Sequence, residues 1–202
     1  ILQQDISKVG ALDIKFYNKE FSSNFNDSVK LHIDTYKPVV FLLGSDELNH
    51  SILKNAFVVY IGHHGDSSAQ IADVVLPSPA YTEKFSTYVN MEGRVLQSTR
   101  CYHPLGQAKE EWKIFRSMSN NIGGDLTFNN LKDLRKEIFQ KFPLFQLLNT
   151  LPITNKLNFG ENKKVNKRIL DYTIKNFYMN DVISRASITM ANCTREILNK
   201  VA

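Results

Sequence analysis

The residues whose types could do chemistry are Gly62-His63-His64-Gly65-Asp66, which directly follow the apolar run Phe57 to Ile61. Loops at the carboxyl ends of parallel strands are where α/β proteins bind ligands, and histidine and aspartate are metal-ligand types. Neighbouring residues of an extended segment point to opposite sides, which predicts that His63 and His64 do not share one ion. Further ligands would have to come from His50, His103 or a distant carboxylate, and neither HxH nor HxxxH spacing occurs. Two readings stand side by side: a metal-dependent hydrolase site using His63, His64 and Asp66, and, preferred, a satisfied polar loop held by Gly62 and Gly65.

A second charged set, Glu83, Lys84, Glu92 and Arg94, could supply an acid, a base and an anion-binding group, or could be ion pairs pinning a bend. No nucleophile stands near a histidine in a recognisable pattern: Ser67 and Ser68 follow His64, but no GxSxG elbow surrounds either. The structural reading is therefore preferred. Neither GxGxxG after a strand nor GxxxxGK[ST] occurs, so the usual glycine turns that grip a nucleotide are missing. Cys101 and Cys193 are too few for an iron-sulfur cluster, which usually takes four thiolates, and no CxxC pair seeds a zinc site. Two reduced, partly buried thiols are expected rather than a disulfide.

The elements that must position these residues change character along 202 residues, 43% of them hydrophobic. Leu2, Ile6 and Val9 recur at near-helical spacing, predicting a helix over 1–14, whereas 18–28 reads as a loop. Val39 to Leu43, Phe57 to Ile61 and Val74 to Leu76 are short apolar runs ending at Gly44, Gly62 and Pro77, as expected of neighbouring parallel strands buried on both faces. Thr87 to Val89 and Arg94 to Ser98 read as a hairpin through Asn90-Met91-Glu92-Gly93. Ala108, Trp112, Phe115, Met118 and Ile122 mark an amphipathic helix that stops at Gly123-Gly124. Asn130 can cap a second helix with Leu131, Leu134, Ile138 and Phe142 inward, after which 143–168 are irregular. Asn180 or Asp181 can cap a last helix carrying Ile183, Ala186, Met190, Cys193 and Ile197 on one stripe.

No run approaches the roughly 20 apolar residues a membrane-spanning helix needs. The net charge of +5 is spread, and its one dense cluster, Lys163-Lys164 with Lys167-Arg168, is interleaved with asparagine rather than aromatics, so nucleic acid is not expected as a partner. The chain opens on Ile1 without a basic and apolar leader, inside what reads as a helix, so a removed targeting segment or a late start is expected.

Residues 57–98, FVVYIGHHGDSSAQIADVVLPSPAYTEKFSTYVNMEGRVLQS, closely resemble the C-terminal region of the large iron-sulfur subunit family of respiratory complex I. The specific pieces are GHHGD, IADVVLP, AYTEK and TYVNMEGR in the family's order; KEEWKIFRSMS and IKNFYMNDVISRASITMANC resemble its Trp-containing helix and final segment. The signature positions are Gly62, His63, His64, Gly65, Asp66, Asp73, Pro77, Glu83, Lys84, Asn90, Glu92, Gly93 and Arg94. The family belongs to the molybdopterin oxidoreductase superfamily, whose fold complex I is understood to have kept while losing the pterin cofactor.

The resemblance implies an α/β fold, with 1–142 as the end of a cofactor-less molybdopterin-oxidoreductase-like domain and 143–202 as an irregular linker and helical extension. It implies a structural part of the NADH-oxidising peripheral arm, on the matrix side of the mitochondrial inner membrane. Catalytic, cofactor-binding and metal residues are expected to be none in this chain. Iron-sulfur clusters and FMN are expected in partner chains, above all in a cysteine-rich chain carrying the N-terminal half of the same subunit. The other implied reading is a fragment of a catalytic molybdopterin-dependent enzyme.

Overall fold

A computed structural model describes residues 6–16, 34–45, 48–152 and 176–198. Its centre is a three-stranded parallel sheet: β1 (Val39–Leu43), β2 (Phe57–Gly62) and β3 (Val74–Pro77), in the order β1-β2-β3. Val39 lies opposite Phe57 and Leu43 opposite Ile61; Val59 lies opposite Val74 and Gly62 opposite Pro77. The expected strands are all present, each within a residue of its expected end.

Period-two alternation explains how β2 covers both faces. Val58 and Tyr60 pack with Leu42, Ile52 and Leu53 into one core, helped by the 3-10 turn His50–Leu53 and the short helix Ser67–Gln70 (α2). Residues on the opposite face include Val59 and Ile61, both buried, and Phe41, whose ring meets Phe115 at 5.8 Å between centroids. Each such fully buried side chain contributes roughly 1.5–3 kcal/mol. Phe115 belongs to the amphipathic helix α3 (Glu111–Asn121), so α3 faces the sheet as its apolar spacing predicts.

The hairpin β4 (Thr87–Val89) and β5 (Val95–Gln97) is antiparallel. Its buried Val89 and Val95 form a second core with Phe145, joined by Ile138, Phe139 and Phe142 of the helix Leu131–Lys141 (α4) and its C-terminal cap. Asn130 caps α4 as expected, accepting the Asp133 N–H at 2.9 Å. Helix α1 (Ile6–Asp13) closes on this core through Gly10, where a Cβ would stand 3.3 Å from Val89. Residues 1–5 of that expected helix, the expected loop over 18–28 and residues 153–168 of the irregular stretch lie outside the described residues.

The last helix is corrected in one respect. Asp181 starts it, accepting the Ile183 and Ser184 N–H groups, but it breaks into α5 (Val182–Arg185) and α6 (Ile188–Cys193), followed by a π-helical turn over Thr194–Leu198. Ser187 causes the break: its hydroxyl accepts the Met190 N–H and restarts a helix. The expected stripe is left open, with Ile183, Ala186 and Ile197 exposed and Met190 and Cys193 half-buried. Cys101 is exposed rather than partly buried, and neither cysteine is in a disulfide. Among the described residues, no helix is long and apolar enough to cross a membrane.

Candidate functional site

The loop Gly62 to Asp66 leaves the carboxyl end of β2 above the sheet. Gly62 is required there, because a Cβ would land on the ring and hydroxyl of Tyr60. Tyr60, itself buried, donates its hydroxyl to the His64 carbonyl at 3.1 Å and so holds the loop from beneath. Burial, and then the nearby Asp66 carboxylate, push the Tyr60 phenol above its ordinary pKa, which keeps it a donor.

The chain turns so sharply after Gly62 that the two imidazoles do meet, contrary to the opposite-sides expectation. His63 Nδ1 and His64 Nδ1 stand 2.6 Å apart, with rings edge to face at 4.9 Å. Contact of this kind needs one ring nitrogen to donate and the other to accept. Desolvation lowers the His63 pKa below the histidine range; His64 and Lys84 lower it further, while Glu111 and Glu83 oppose them. The contact requires one of the two rings to be neutral and accepting, and the lowered pKa makes His63 the readier of the two to lose its proton.

Asp66 does not join the histidines. Its Oδ1 accepts the Ser67 N–H at 2.7 Å and caps α2, while its Oδ2 accepts from Arg185 Nε at 2.9 Å and pairs with Nη2 at 2.9 Å. The guanidinium, 119 residues away in sequence, ties α5 to the loop and donates also to the Met179 carbonyl. Asp181 at the start of α5 is held below the usual carboxylate range, first by the Ser184 hydroxyl and then by its backbone N–H. No spacing signal pointed to Arg185 as the partner of Asp66. Among the described residues, no three His, Cys, Asp or Glu side chains gather closely enough to hold a metal ion.

The other signature residues tie elements together. Asp73 accepts the Val58 N–H at 2.7 Å and donates its own N–H to the Val58 carbonyl at 2.9 Å, fixing where β3 starts on β2. Pro77, opposite Gly62 at the other end of β3, accepts the Lys109 N–H at 3.1 Å. Glu83 accepts the Ala80 N–H at 3.0 Å. Lys84 pairs with Glu111 at 2.5 Å, joining the approach to the hairpin to the start of α3. Asn90 accepts the Glu92 and Arg94 N–H groups, Gly93 takes φ +83° and Arg94 reaches the Asn149 carbonyl at 2.6 Å, with Glu92 3.7 Å from its guanidinium. The charged set therefore consists of a turn, a cap and two ion pairs, not one converging site. His50 meets the buried Ser68 hydroxyl at 3.2 Å, and His103 is not brought to the loop by any contact among the described residues.

A pterin dinucleotide in a fold of this kind needs an open crevice and phosphate-binding turns at the carboxyl ends of the strands. Of the groups such a crevice could use here, Asp66 is committed to Arg185 and the imidazoles to each other, while His63 and Gly65 stay exposed. The two described cavities lie elsewhere, one beside the hairpin and α4, the other at the opposite end of β2 between His50 and Asp73.

Comparison with known proteins gives these elements a lineage. Residues 151–193 match the C-terminal family of the NADH-ubiquinone oxidoreductase G subunit. The 78 kDa subunit of mitochondrial NADH-ubiquinone oxidoreductase from Candida albicans is 39% identical, covering 96% of this chain and 27% of that protein. The G subunit of NADH-quinone oxidoreductase from Rickettsia felis is 36% identical over 96% of this chain and 27% of its own length. The 75 kDa subunit of NADH-ubiquinone oxidoreductase from Reclinomonas americana is 37% identical over 96% of this chain and 28% of its own length. The chain thus spans little more than a quarter of the curated relatives it matches. Among solved structures, acetylene hydratase from Pelobacter acetylenicus aligns with a TM-score of 0.40 at 26% identity, over 48% of this chain and 16% of that one. Residues 1–121, more than half of the chain, match the family described as Molybdopterin oxidoreductase, and the chain belongs to that family.

Proposed function

We propose that this chain is a structural part of the large peripheral iron-sulfur subunit of respiratory complex I, completing a cofactor-less domain of the NADH-oxidising arm. The observation that carries this reading is that relatives matched over 96% of the chain are subunits of NADH-ubiquinone or NADH-quinone oxidoreductase. The geometry supports a scaffold: signature residues from Asp66 to Arg94 spend their polar atoms on caps, turns and ion pairs. In this reading the iron-sulfur clusters and FMN sit in partner chains, including a cysteine-rich polypeptide carrying the remainder of the same subunit. The assembly lies peripherally on the matrix side of the mitochondrial inner membrane.

The open sheet gives the scaffold a physical task. Both outer strands lack a second neighbour among the described residues, and Val39, Leu43, Val74 and Val75 are exposed. Unpaired apolar edges are an aggregation liability, so a partner segment is expected to cover them. A native gel of the source membranes, stained for NADH oxidation and followed by mass spectrometry, tests the assignment. This chain should migrate with the activity and with a cysteine-rich companion, and stoichiometric molybdenum or tungsten should be absent. A chain that migrates apart from the activity contradicts the reading.

A further inference from the structure

The proposed function leaves unused a groove of about 1110 Å³ between the hairpin and α4. Its floor is apolar, built from Phe85, Leu131, Phe139 and Leu148, of which Phe85 and Leu148 are exposed. Along one side run Lys132, Arg135 and Lys136 at helical spacing, so one turn of α4 presents three cations to the opening. Across it, Arg100 lies over the Phe85 ring at 5.3 Å.

One carboxylate shares that side: Asp133 also lines the groove and accepts from the Asn130 amide at 2.7 Å, whereas Glu137, outside the lining, accepts from Thr127 at 2.6 Å. Three cations against one anion leave the side net positive. None of Lys132, Arg135 and Lys136 makes an ion pair among the described residues, and a carboxylate is the group that pairs with such cations best.

We propose that this groove docks an acidic segment, anchored by an apolar side chain, from another polypeptide of the assembly. The volume exceeds the usual small-molecule range of roughly 300–1,000 Å³ and suits a stretch of chain. Charge complementarity selects the occupant. Residues 153–175 of this chain carry six basic and two acidic side chains, 17–33 carry two of each with His32 neutral, and a second copy would bring a net charge of +5. None of these is net acidic, whereas an acidic segment is steered toward the cations.

Carbodiimide treatment of the purified native assembly, which joins an amine directly to a carboxylate in contact with it, tests the proposal. Lys132 or Lys136 should link to an aspartate or glutamate of a different polypeptide, flanked by apolar residues. Links only to residues 17–33 or 153–175, links to a second copy, or no link from either lysine would each overturn it. As an independent reading, Lys132→Glu with Lys136→Glu should weaken retention of that polypeptide about tenfold in a salt wash. Lys141→Glu, on the same helix outside the groove, should leave it unchanged, and equal retention in all three proteins would overturn the proposal. An intact assembly without the link would sink the groove while leaving the proposed function standing.

Discussion

Strands β2 and β3 are made of the same kinds of residue and share one parallel register, yet they differ in cover. Val58 through Ile61 are all buried, Ile61 to 1% exposure, whereas Val74 and Val75 remain 37% and 51% exposed. Composition does not set this difference; neighbours do. β2 has a strand on each side, helices toward both faces and a loop closed by Tyr60 and Arg185, while β3 has one strand and an open edge. A strand this apolar with no second neighbour among the described residues is what the proposed partner segment would cover.

The largest expected effect separates the two strands directly. Ile61→Ala should cost about 2–5 kcal/mol by cavity formation, measured by pulse proteolysis of the native assembly. Val75→Ala should cost roughly 1–2 kcal/mol there if the proposed partner covers its methyl groups, against about 0.5 kcal/mol for a side chain left in solvent. Equal costs for the two substitutions would break the comparison.

Next comes the top of β2. Gly62→Ala forces a Cβ against the buried Tyr60 ring, with an expected cost of about 1–3 kcal/mol from overpacking and faster hydrogen exchange across 60–66. Arg185→Met leaves Asp66 without its charged partner and should loosen α5 and α6 by about 1–3 kcal/mol of local opening, read as new protease cleavage within 182–193. Cleavage unchanged from the parent would show that the guanidinium does not hold α5 down.

The smallest effect is a pH dependence. Desolvation holds His63 below its ordinary value, so the folded chain binds that proton more weakly than the unfolded chain. Stability from this group is intact above about pH 6.5, the unfolded value, and is lost as pH falls from there through the lowered folded value. Because His63 keeps an exposed face, the effect should be modest, and His63→Gln should flatten it in thermal melts between pH 7.5 and 5, test conditions that bracket the ordinary histidine range. An identical pH profile in the variant would remove His63 from the account.

Much of the architecture was legible because it is local. Continuous apolar runs ending in Gly44, Gly62 and Pro77 carry enough information for three parallel strands, and Asn130 for the start of α4, but the expected burial on both faces holds for β2 alone, because β1 and β3 lie at the edges of the described sheet. What the sequence hid is nonlocal or finer than periodicity. The Asp66–Arg185 pair joins residues 119 apart, and nothing in either neighbourhood names the other. The meeting of His63 with His64 depends on a turn after Gly62 that the extended-strand rule does not contain. The break at Ser187 is a competition between a hydroxyl cap and a continuous apolar stripe, and the local hydrogen bond wins because that stripe buries little within this chain.

The most direct measurement of the central claim is light scattering with circular dichroism on the 202-residue chain expressed alone. With two apolar strand edges uncovered among the described residues, it should be aggregated or poorly folded, and should recover a compact state only with the proposed partner polypeptide. A soluble, cooperatively folded monomer would show that the sheet is complete in itself and would contradict the account.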